Sequence, residues 1–130
     1  MAATFQLEIV SADRMVWEGE ATMVIARTLE GEIGVLANHS PLLGVLAPGV
    51  VEIRPAEGSV QLAAIDGGFV SVANNRISIL AERAEMADGI DRGQAEQDLE
   101  RARQKDDDSE SSRHAVAAAE ARVAAAERAT

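Results

Sequence analysis

The 130-residue sequence contains no cysteine and only three aromatic residues, two phenylalanines and one tryptophan. Without cysteine, no disulfide can link its elements and no thiolate can serve as a nucleophile or metal ligand. Three aromatic rings are too few for a stacking platform that binds nucleic acid. Basic residues are also scarce, since 12 Lys and Arg face 22 Asp and Glu and the net charge is −10. Binding to nucleic acid or directly to anionic lipid is therefore not expected.

Long apolar runs are absent as well. None approaches the roughly 20 residues that span a bilayer, and the first residues lack a basic region followed by an apolar one. The length fits one compact domain, alone or with an appendage. We expect a soluble protein, or one held at a membrane only through a partner and without direct insertion.

The composition changes between residues 88 and 91. All three prolines and nine of the ten glycines lie before position 90, whereas eleven alanines lie within 91–130. Before the change, apolar and polar residues alternate with the period of half-buried strands. This change predicts two domains, a β-domain at residues 1–88 and a helical domain at residues 89–130.

Short strands are predicted throughout the β-domain, and turn residues separate them. Asn74-Asn75 between two apolar runs predicts a tight hairpin, because Asn tolerates left-handed backbone angles. Many short strands at such spacing favour a sandwich or a flattened barrel. The predicted strands lie at residues 5–9, 22–28, 33–36, 51–53, 60–65, 69–73 and 76–80.

Two helices are predicted after the change, at about residues 92–105 and 111–128. Asp91 can cap the first helix, and Gln94 stands three positions later in a capping-box arrangement. Acidic residues at 106–110 break the pattern and favour the start of the second helix. The faces of both helices are almost entirely alanine, so we expect an antiparallel hairpin that docks weakly.

The sequence offers no constellation typical of catalysis or of a metal site. Asp66-Gly67-Gly68 lacks the lysine and the spacing of a phosphate-binding loop. The aspartates at 106–108 lack the ligand spacing and central glycine of a calcium loop. His39 is followed directly by Ser40, and neither stands in a glycine-flanked nucleophile elbow. We predict a non-catalytic protein with no metal site.

Residues 31–49 combine turn residues, an apolar stretch and one of the two histidines, which suits a contact surface. His39 has two interpretations: its ring bonds a neighbouring carbonyl and fixes the turn before Pro41, or it contacts a partner. Glu32 is either a solvated carboxylate or a group that projects into a partner. Trp17 belongs either to the core or to an interface.

Six segments, in this order and spacing, carry a family resemblance: residues 5–12, Gly31-Glu32-Ile33-Gly34, His39 with Pro41-Leu42-Leu43, Pro48-Gly49, Asp66-Gly67-Gly68-Phe69 and Ile79-Leu80-Ala81-Glu82. Together with the helical hairpin they resemble the epsilon subunit of the bacterial F-type ATP synthase, over nearly the whole chain. The sequence of the fifth segment, Asp66-Gly67-Gly68-Phe69, is most similar to that of the actinobacterial branch of this family. The resemblance implies a mostly β protein, a sandwich of about ten strands followed by two carboxy-terminal helices.

The resemblance also implies a function. It places the chain in the central stalk of a proton-translocating complex, as a non-catalytic, peripheral subunit on the cytoplasmic face of the cell membrane. The sandwich would bind the gamma subunit on one side and the c-ring at its base, and the hairpin would reach the alpha and beta subunits. By motif position, Glu32 and His39 fall on the family's base loops, so both are expected to face the c-ring.

The hairpin departs from the family's nucleotide-binding pattern. That pattern resembles Ile/Leu-Asp-x-x-Arg-Ala; here Ile90, Asp91 and Ala95 match, but Gln94 stands in place of the arginine. The missing cation removes a charge-assisted partner worth roughly 1.5–3 kcal/mol, so we expect weak or no ATP binding and no cofactor. Residues 91–130 contain ten acids and seven bases. Attraction to an acidic segment of beta would be feeble, and modest inhibition of hydrolysis at most is expected.

The residues alone leave two other classes of function open. An acidic sandwich with a helical tail could be an adaptor for soluble partners, in which case gamma and the c-ring would not copurify with it. A small enzyme using the carboxylates of Asp66 and Glu82 has less support, because no His, Lys or metal constellation converges there.

Overall fold

The computed structural model describes residues 3–129, in which nine strands precede two helices. A 3-10 turn, Ala87–Gly89, links the last strand to the first helix. The strands are β1 Phe5–Val10, β2 Met15–Thr28, β3 Gly31–Leu36, β4 Leu42–Leu46, β5 Gly49–Pro55, β6 Gln61–Ile65, β7 Gly68–Ala73, β8 Arg76–Leu80 and β9 Ala84–Met86; the helices are α1 Arg92–Gln104 and α2 Glu110–Arg128.

The strands form two layers that share β2, the longest strand. The amino-terminal half of β2 pairs with β1, and this first sheet continues through β8, β7 and β4. The carboxy-terminal half of β2 lies between β3 and β5, and this second sheet continues through β6 and β9. Because β2 serves in both layers, the nine described strands supply five strands to each sheet. The predicted sandwich of about ten strands is confirmed.

Strict alternation places one face of each strand in a shared core. In β1, Phe5, Leu7 and Ile9 are buried, whereas Gln6, which lies between Phe5 and Leu7, is exposed. Trp17 packs against this core from β2, which agrees with its core interpretation. The largest fully buried side chains are Leu7, Ile9, Val24, Val35, Val51, Ile53, Val70, Ile77 and Ile79.

The β7–β8 connection is the tight hairpin that the sequence predicts. Asn74 and Asn75 both have positive φ, at 53° and 59°. The Asn75 side chain also accepts a hydrogen bond from the backbone N–H of Asn38 at 2.7 Å and donates one to the carbonyl of Thr4 at 2.9 Å. This turn therefore ties the β3–β4 loop to the start of β1.

Both helices begin at side-chain caps. The Asp91 carboxylate accepts a hydrogen bond from the N–H of Gln94 at 3.0 Å, as predicted. The Gln94 side chain does not return to Asp91 but donates to Asp98 at 3.0 Å. Ser109 caps α2 by accepting from the N–H of Ser112. Both helices start and end within one residue of their predicted bounds.

The helical hairpin, α1 and α2, lies against the outer face of the second sheet. The α2 helix packs on β5 and β6, and α1 packs on α2. As a result β6 is buried on both faces, since Ala63 and Ile65 face the sandwich core while Leu62 and Ala64 contact the hairpin. The second hydrophobic cluster also contains Ala87, Ile90, Ala95, Ala121, Ala125 and Ala126.

Candidate interaction surfaces

Glu32 lies at the β2–β3 tip, which we define as residues 28–32. It is exposed and pairs with Arg27 across the hairpin. Leu29 beside it is 69% exposed although it is a large apolar residue. Thr28 holds the turn, because its hydroxyl donates to the carbonyl of Gly31 at 2.7 Å and accepts from the N–H of Glu30 at 3.1 Å. The tip is thus a rigid protrusion that carries one apolar and two acidic side chains.

His39 lies in the loop between β3 and β4, and its side chain is exposed. Its Nδ1 is 2.6 Å from the carbonyl oxygen of Ser40. Because a carbonyl only accepts, the proton of a neutral ring resides on Nδ1 and fixes the loop before Pro41. This contact matches the local, turn-fixing interpretation of His39.

Glu32 and His39 do not lie together. Glu32 is the second residue of β3, and His39 follows its last residue, Leu36, by three positions. Glu32 and Leu36 are four strand residues apart, a rise of about 13 Å at about 3.3 Å per residue, so Glu32 and His39 lie toward opposite ends of β3. The two residues therefore belong to two different turns of the surface.

A further surface, which no sequence motif indicates, lies on the outer face of the first sheet. The pairing register aligns Val45, Phe69, Leu80, Val10 and Met15 in one line across β4, β7, β8, β1 and β2. We call these five residues the apolar row. Four of them are about half exposed, with Phe69 at 53% and Leu80 at 48%. Exposed apolar stripes of this kind mark interaction sites.

Carboxylates stand beside the apolar row on β1 and β2. Glu8 lies directly opposite Glu18, and Gln6 lies opposite Glu20. Like charges at opposed cross-strand positions repel. Within the described residues Glu8 has two partners, the hydroxyl of Ser78 at 2.9 Å and the guanidinium of Arg76 at 3.7 Å. The face is therefore apolar at one end and acidic at the other.

A cleft of about 700 Å³ separates α2 from the edge of the second sheet. Its lining includes three carboxylates, Asp66, Glu85 and Asp98, and two guanidiniums, Arg83 and Arg122. The hydrogen bond from Gln94, and then those from Arg122 and Arg101, hold the pKa of Asp98 below its usual range. The Arg122 guanidinium is already bound to two carboxylates. Within the cleft, charge is thus largely neutralised by the chain itself.

Among residues 3–129, no three His, Asp or Glu side chains converge as metal ligands. Over the same residues, neither helix is long and apolar enough to cross a membrane.

Comparison with known proteins gives one consistent family. Residues 4–87 match the family described as ATP synthase, Delta/Epsilon chain, beta-sandwich domain. The ATP synthase epsilon chain of Streptomyces avermitilis is 55% identical over 107 residues, which cover 82% of this chain and 86% of that protein. That of Streptomyces coelicolor is 49% identical over 126 residues, covering 97% and 98%. That of Corynebacterium aurimucosum is 47% identical over 103 residues, covering 78% and 84%.

Solved structures agree with this assignment. A chain of the Euglena gracilis mitochondrial ATP synthase, in an OSCP/F1/c-ring structure, superposes with a TM-score of 0.77 at 29% identity, covering 99% of this chain and 82% of that one. A chain of the Tetrahymena thermophila central stalk and c-ring structure has a TM-score of 0.60 at 19% identity, which supports the fold.

The family assignment decides between the classes of function that the residues left open. Neither the adaptor for soluble partners nor the carboxylate enzyme fits relatives that are epsilon chains of ATP synthase over most of their length. The Streptomyces and Corynebacterium relatives also confirm the predicted actinobacterial branch. The chain belongs to the ATP synthase epsilon-chain family, whose members are non-catalytic subunits of that complex.

Proposed function

We propose that the chain is a central-stalk subunit that links the gamma subunit to the c-ring and transmits rotation without performing chemistry. The observation that carries this proposal is the apolar row, an exposed apolar stripe on the sandwich face opposite the helical hairpin. Torque transmission needs a close-packed body, which the two-sheet core supplies.

The gamma subunit binds the outer face of the first sheet in this proposal. Burial of the apolar row removes four half-exposed large side chains from water. The hydrophobic effect stabilises the complex by roughly 25 cal/mol for each Å² of apolar surface that is buried. The carboxylates of Glu8 and Glu18 repel each other in the free chain. Basic groups on the partner would relieve that repulsion and fix the register of the contact.

The c-ring contact is the β2–β3 tip. Glu32 and Leu29 project there from a turn that is braced by Thr28, so they can enter a partner loop without first becoming ordered. His39 lies at the other end of β3 and is assigned away from the c-ring. Of the two residues expected from motif position, the proposal keeps Glu32 alone on the base.

The complex holds the chain at the cytoplasmic face of the cell membrane as a peripheral subunit. Its bacterial relatives, which are epsilon chains of ATP synthase, support this location. Inhibition of ATP hydrolysis by the hairpin is modest, because two arginines of α2, Arg122 and Arg128, are bound to carboxylates of this same chain. ATP binding is weak or absent, since Gln94 supplies no cation and its amide is bound to Asp98.

Cysteine cross-linking in native membranes tests these contacts, and the absence of natural cysteine makes each introduced thiol unique. A photoreactive maleimide at Glu32→Cys is expected to capture the c subunit, and one at Phe69→Cys the gamma subunit. Ser59→Cys, in the β5–β6 turn, is the matched control for an exposed turn and captures neither.

His39→Cys decides between the two orientations. Under the proposal it captures no c subunit. Capture of the c subunit from position 39 but not from position 32, identified by mass, would reverse the orientation. Capture of gamma from position 59 but not from position 69 would exclude the apolar row as the gamma contact.

A further inference from the structure

The apolar row ends in a methionine, Met15, whose side chain can be converted from apolar to polar by the addition of one atom. Its side chain is 48% exposed, whereas its cross-strand partner Val10 is half-buried. A thioether that takes up one oxygen becomes a sulfoxide, which is polar, accepts hydrogen bonds and is chiral at sulfur. The other members of the row are valine, leucine and phenylalanine, which have no comparable reaction. Met15 is therefore the position at which the apolar row can be modified.

Met15 differs in exposure from the two other methionines that the structure describes. Met86 is half-buried and packs against the sandwich core from β9. Met23 is also half-buried, and its Cε lies over Gly34 of the adjacent strand, 2.9 Å from the position of an added Cβ. Of these three side chains, Met15 is thus the one that a dissolved oxidant reaches most easily.

A β-bulge presents Met15 to solvent. Ile9 pairs with Trp17 but Val10 pairs with Met15, so Val16 is an extra residue in β2. Val16 and Trp17 pack against the core, while Met15 lies exposed on the outer face. Met15 also borders an open cleft of about 270 Å³ between the start of β2 and β9. A small oxidant can therefore approach this side chain both from the sheet face and from the cleft.

We propose that Met15 is a site of reversible oxidation, and that its sulfoxide prevents the free chain from docking on gamma. This inference rests on the proposed contact between the apolar row and gamma. The oxidant is a hydroperoxide. The sulfur lone pair attacks the terminal peroxide oxygen, so that an S–O bond forms as the O–O bond breaks. The proton of that oxygen passes to the departing one, which leaves as an alcohol or as water. Sulfur is oxidised by two electrons and the peroxide is reduced by two.

The sulfoxide changes the free energy of docking because it must leave water. In the complex the apolar row is covered by gamma, and a polar oxygen buried there without a donor loses its hydrogen bonds to water. The affinity of the oxidised chain for gamma is therefore lower by about tenfold or more. Once the chain is docked, gamma excludes the oxidant from Met15. The modification thus distinguishes free chains from assembled ones, and the two stereospecific methionine sulfoxide reductases together reverse it.

Hydrogen peroxide treatment of the full chain tests the site, with peptide mass mapping and with binding to ATP synthase from which this subunit has been removed. Met15 is expected to gain oxygen before Met23 and Met86, and binding is expected to weaken about tenfold or more. Met15→Leu keeps the apolar surface, so it binds within about threefold of the unchanged chain and retains that affinity after peroxide. Met86→Leu is the matched control and remains sensitive to peroxide.

Two results would overturn the site at Met15. One is an equal loss of affinity on oxidation of Met15→Leu and of the unchanged chain. The other is oxidation of Met15 that is as rapid in the intact membrane complex as in the free chain.

Phe69→Ala, measured without peroxide, tests the underlying gamma contact separately. It is expected to bind the depleted complex at least about fivefold more weakly than the unchanged chain. If it binds equally tightly, the apolar row is not the gamma contact and the proposed function fails. If Phe69→Ala weakens binding but the sulfoxide of Met15 does not, only the inference about Met15 fails.

Discussion

Gly68 stands at the start of β7 in a backbone conformation that an L-residue tolerates poorly. Its φ is +124°, and an added Cβ would lie 2.0 Å from the carbonyl oxygen of Leu80 and 2.9 Å from Cα of Ala81. Both obstacles are backbone atoms, one in the last residue of β8 and one in the residue that follows it, so no side-chain rotation can relieve the clash. Gly68→Ala must therefore push β7 away from β8, next to the pair Phe69 and Leu80 of the apolar row.

The expected loss of stability is the sum of two effects. An unfavourable positive φ costs about 1–2 kcal/mol. Forcing an extra group into a filled space costs about 1–3 kcal/mol. Gly68→Ala should thus lower the free energy of unfolding by about 2–5 kcal/mol, which for a chain of this length lowers Tm by about 6–20 °C.

Two other glycines separate these effects. Gly58 has a φ of +95° with no atom within 4 Å of its added Cβ, so Gly58→Ala retains only the backbone strain, about 1–2 kcal/mol. Gly89 has neither a positive φ nor a close neighbour, so Gly89→Ala is neutral or stabilises by up to about 1 kcal/mol. Urea unfolding followed by the fluorescence of the single tryptophan gives all three values. If Gly68→Ala loses no more stability than Gly58→Ala, the argument from the backbone clash fails.

Three further changes test the cap, the core and the acidic loop. Asp91→Ala removes the carboxylate that caps α1 and should destabilise the hairpin by about 1 kcal/mol, measured as helicity against temperature. Ile53→Ala leaves a cavity at a fully buried position and should lower the free energy of unfolding by about 2–5 kcal/mol in urea. Hydrogen bonds from Ser109, and then from Ser112, lower the pKa of Asp107 to about 2. Because the folded pKa is below the unfolded one, this stabilisation is complete above about pH 4 and is lost as the pH falls through about 2. Asp107→Asn should abolish that part of the pH dependence of unfolding, and an unchanged acid profile would contradict the assignment.

Local patterns predict most of this fold because the strands alternate strictly and the helices begin at recognisable caps. The shortfalls are β9, which is not among the predicted strands, and β2, of which the sequence predicts only residues 22–28 as a strand. Gly19 interrupts the β-forming pattern, yet the strand passes through it from Met15. An added Cβ at Gly19 would lie 3.1 Å from the ring of Trp17. This glycine makes room for a packed indole and does not mark a turn, a difference that only the folded neighbours reveal.

The surfaces depend on register, which the sequence does not contain. Glu32 and His39 both stand near turn residues, and only the pairing of β3 with β2 places them at opposite ends of a strand. The apolar row likewise draws one residue from each of five strands that are far apart in sequence. A local signal for it exists, because Phe69 occupies an outward position beside buried Val70. That signal identifies one exposed aromatic ring but not the other four residues of the apolar row.

The two sheets separate the proposed contacts of the molecule. The hairpin covers the outer face of the second sheet, and the apolar row lies on the outer face of the first. The core between them is filled by fully buried side chains such as Ile9 and Ile53, so the sandwich moves as one body. Because the two outer faces lie on opposite sides of this core, a substitution at the hairpin contact should leave the face assigned to gamma undisturbed.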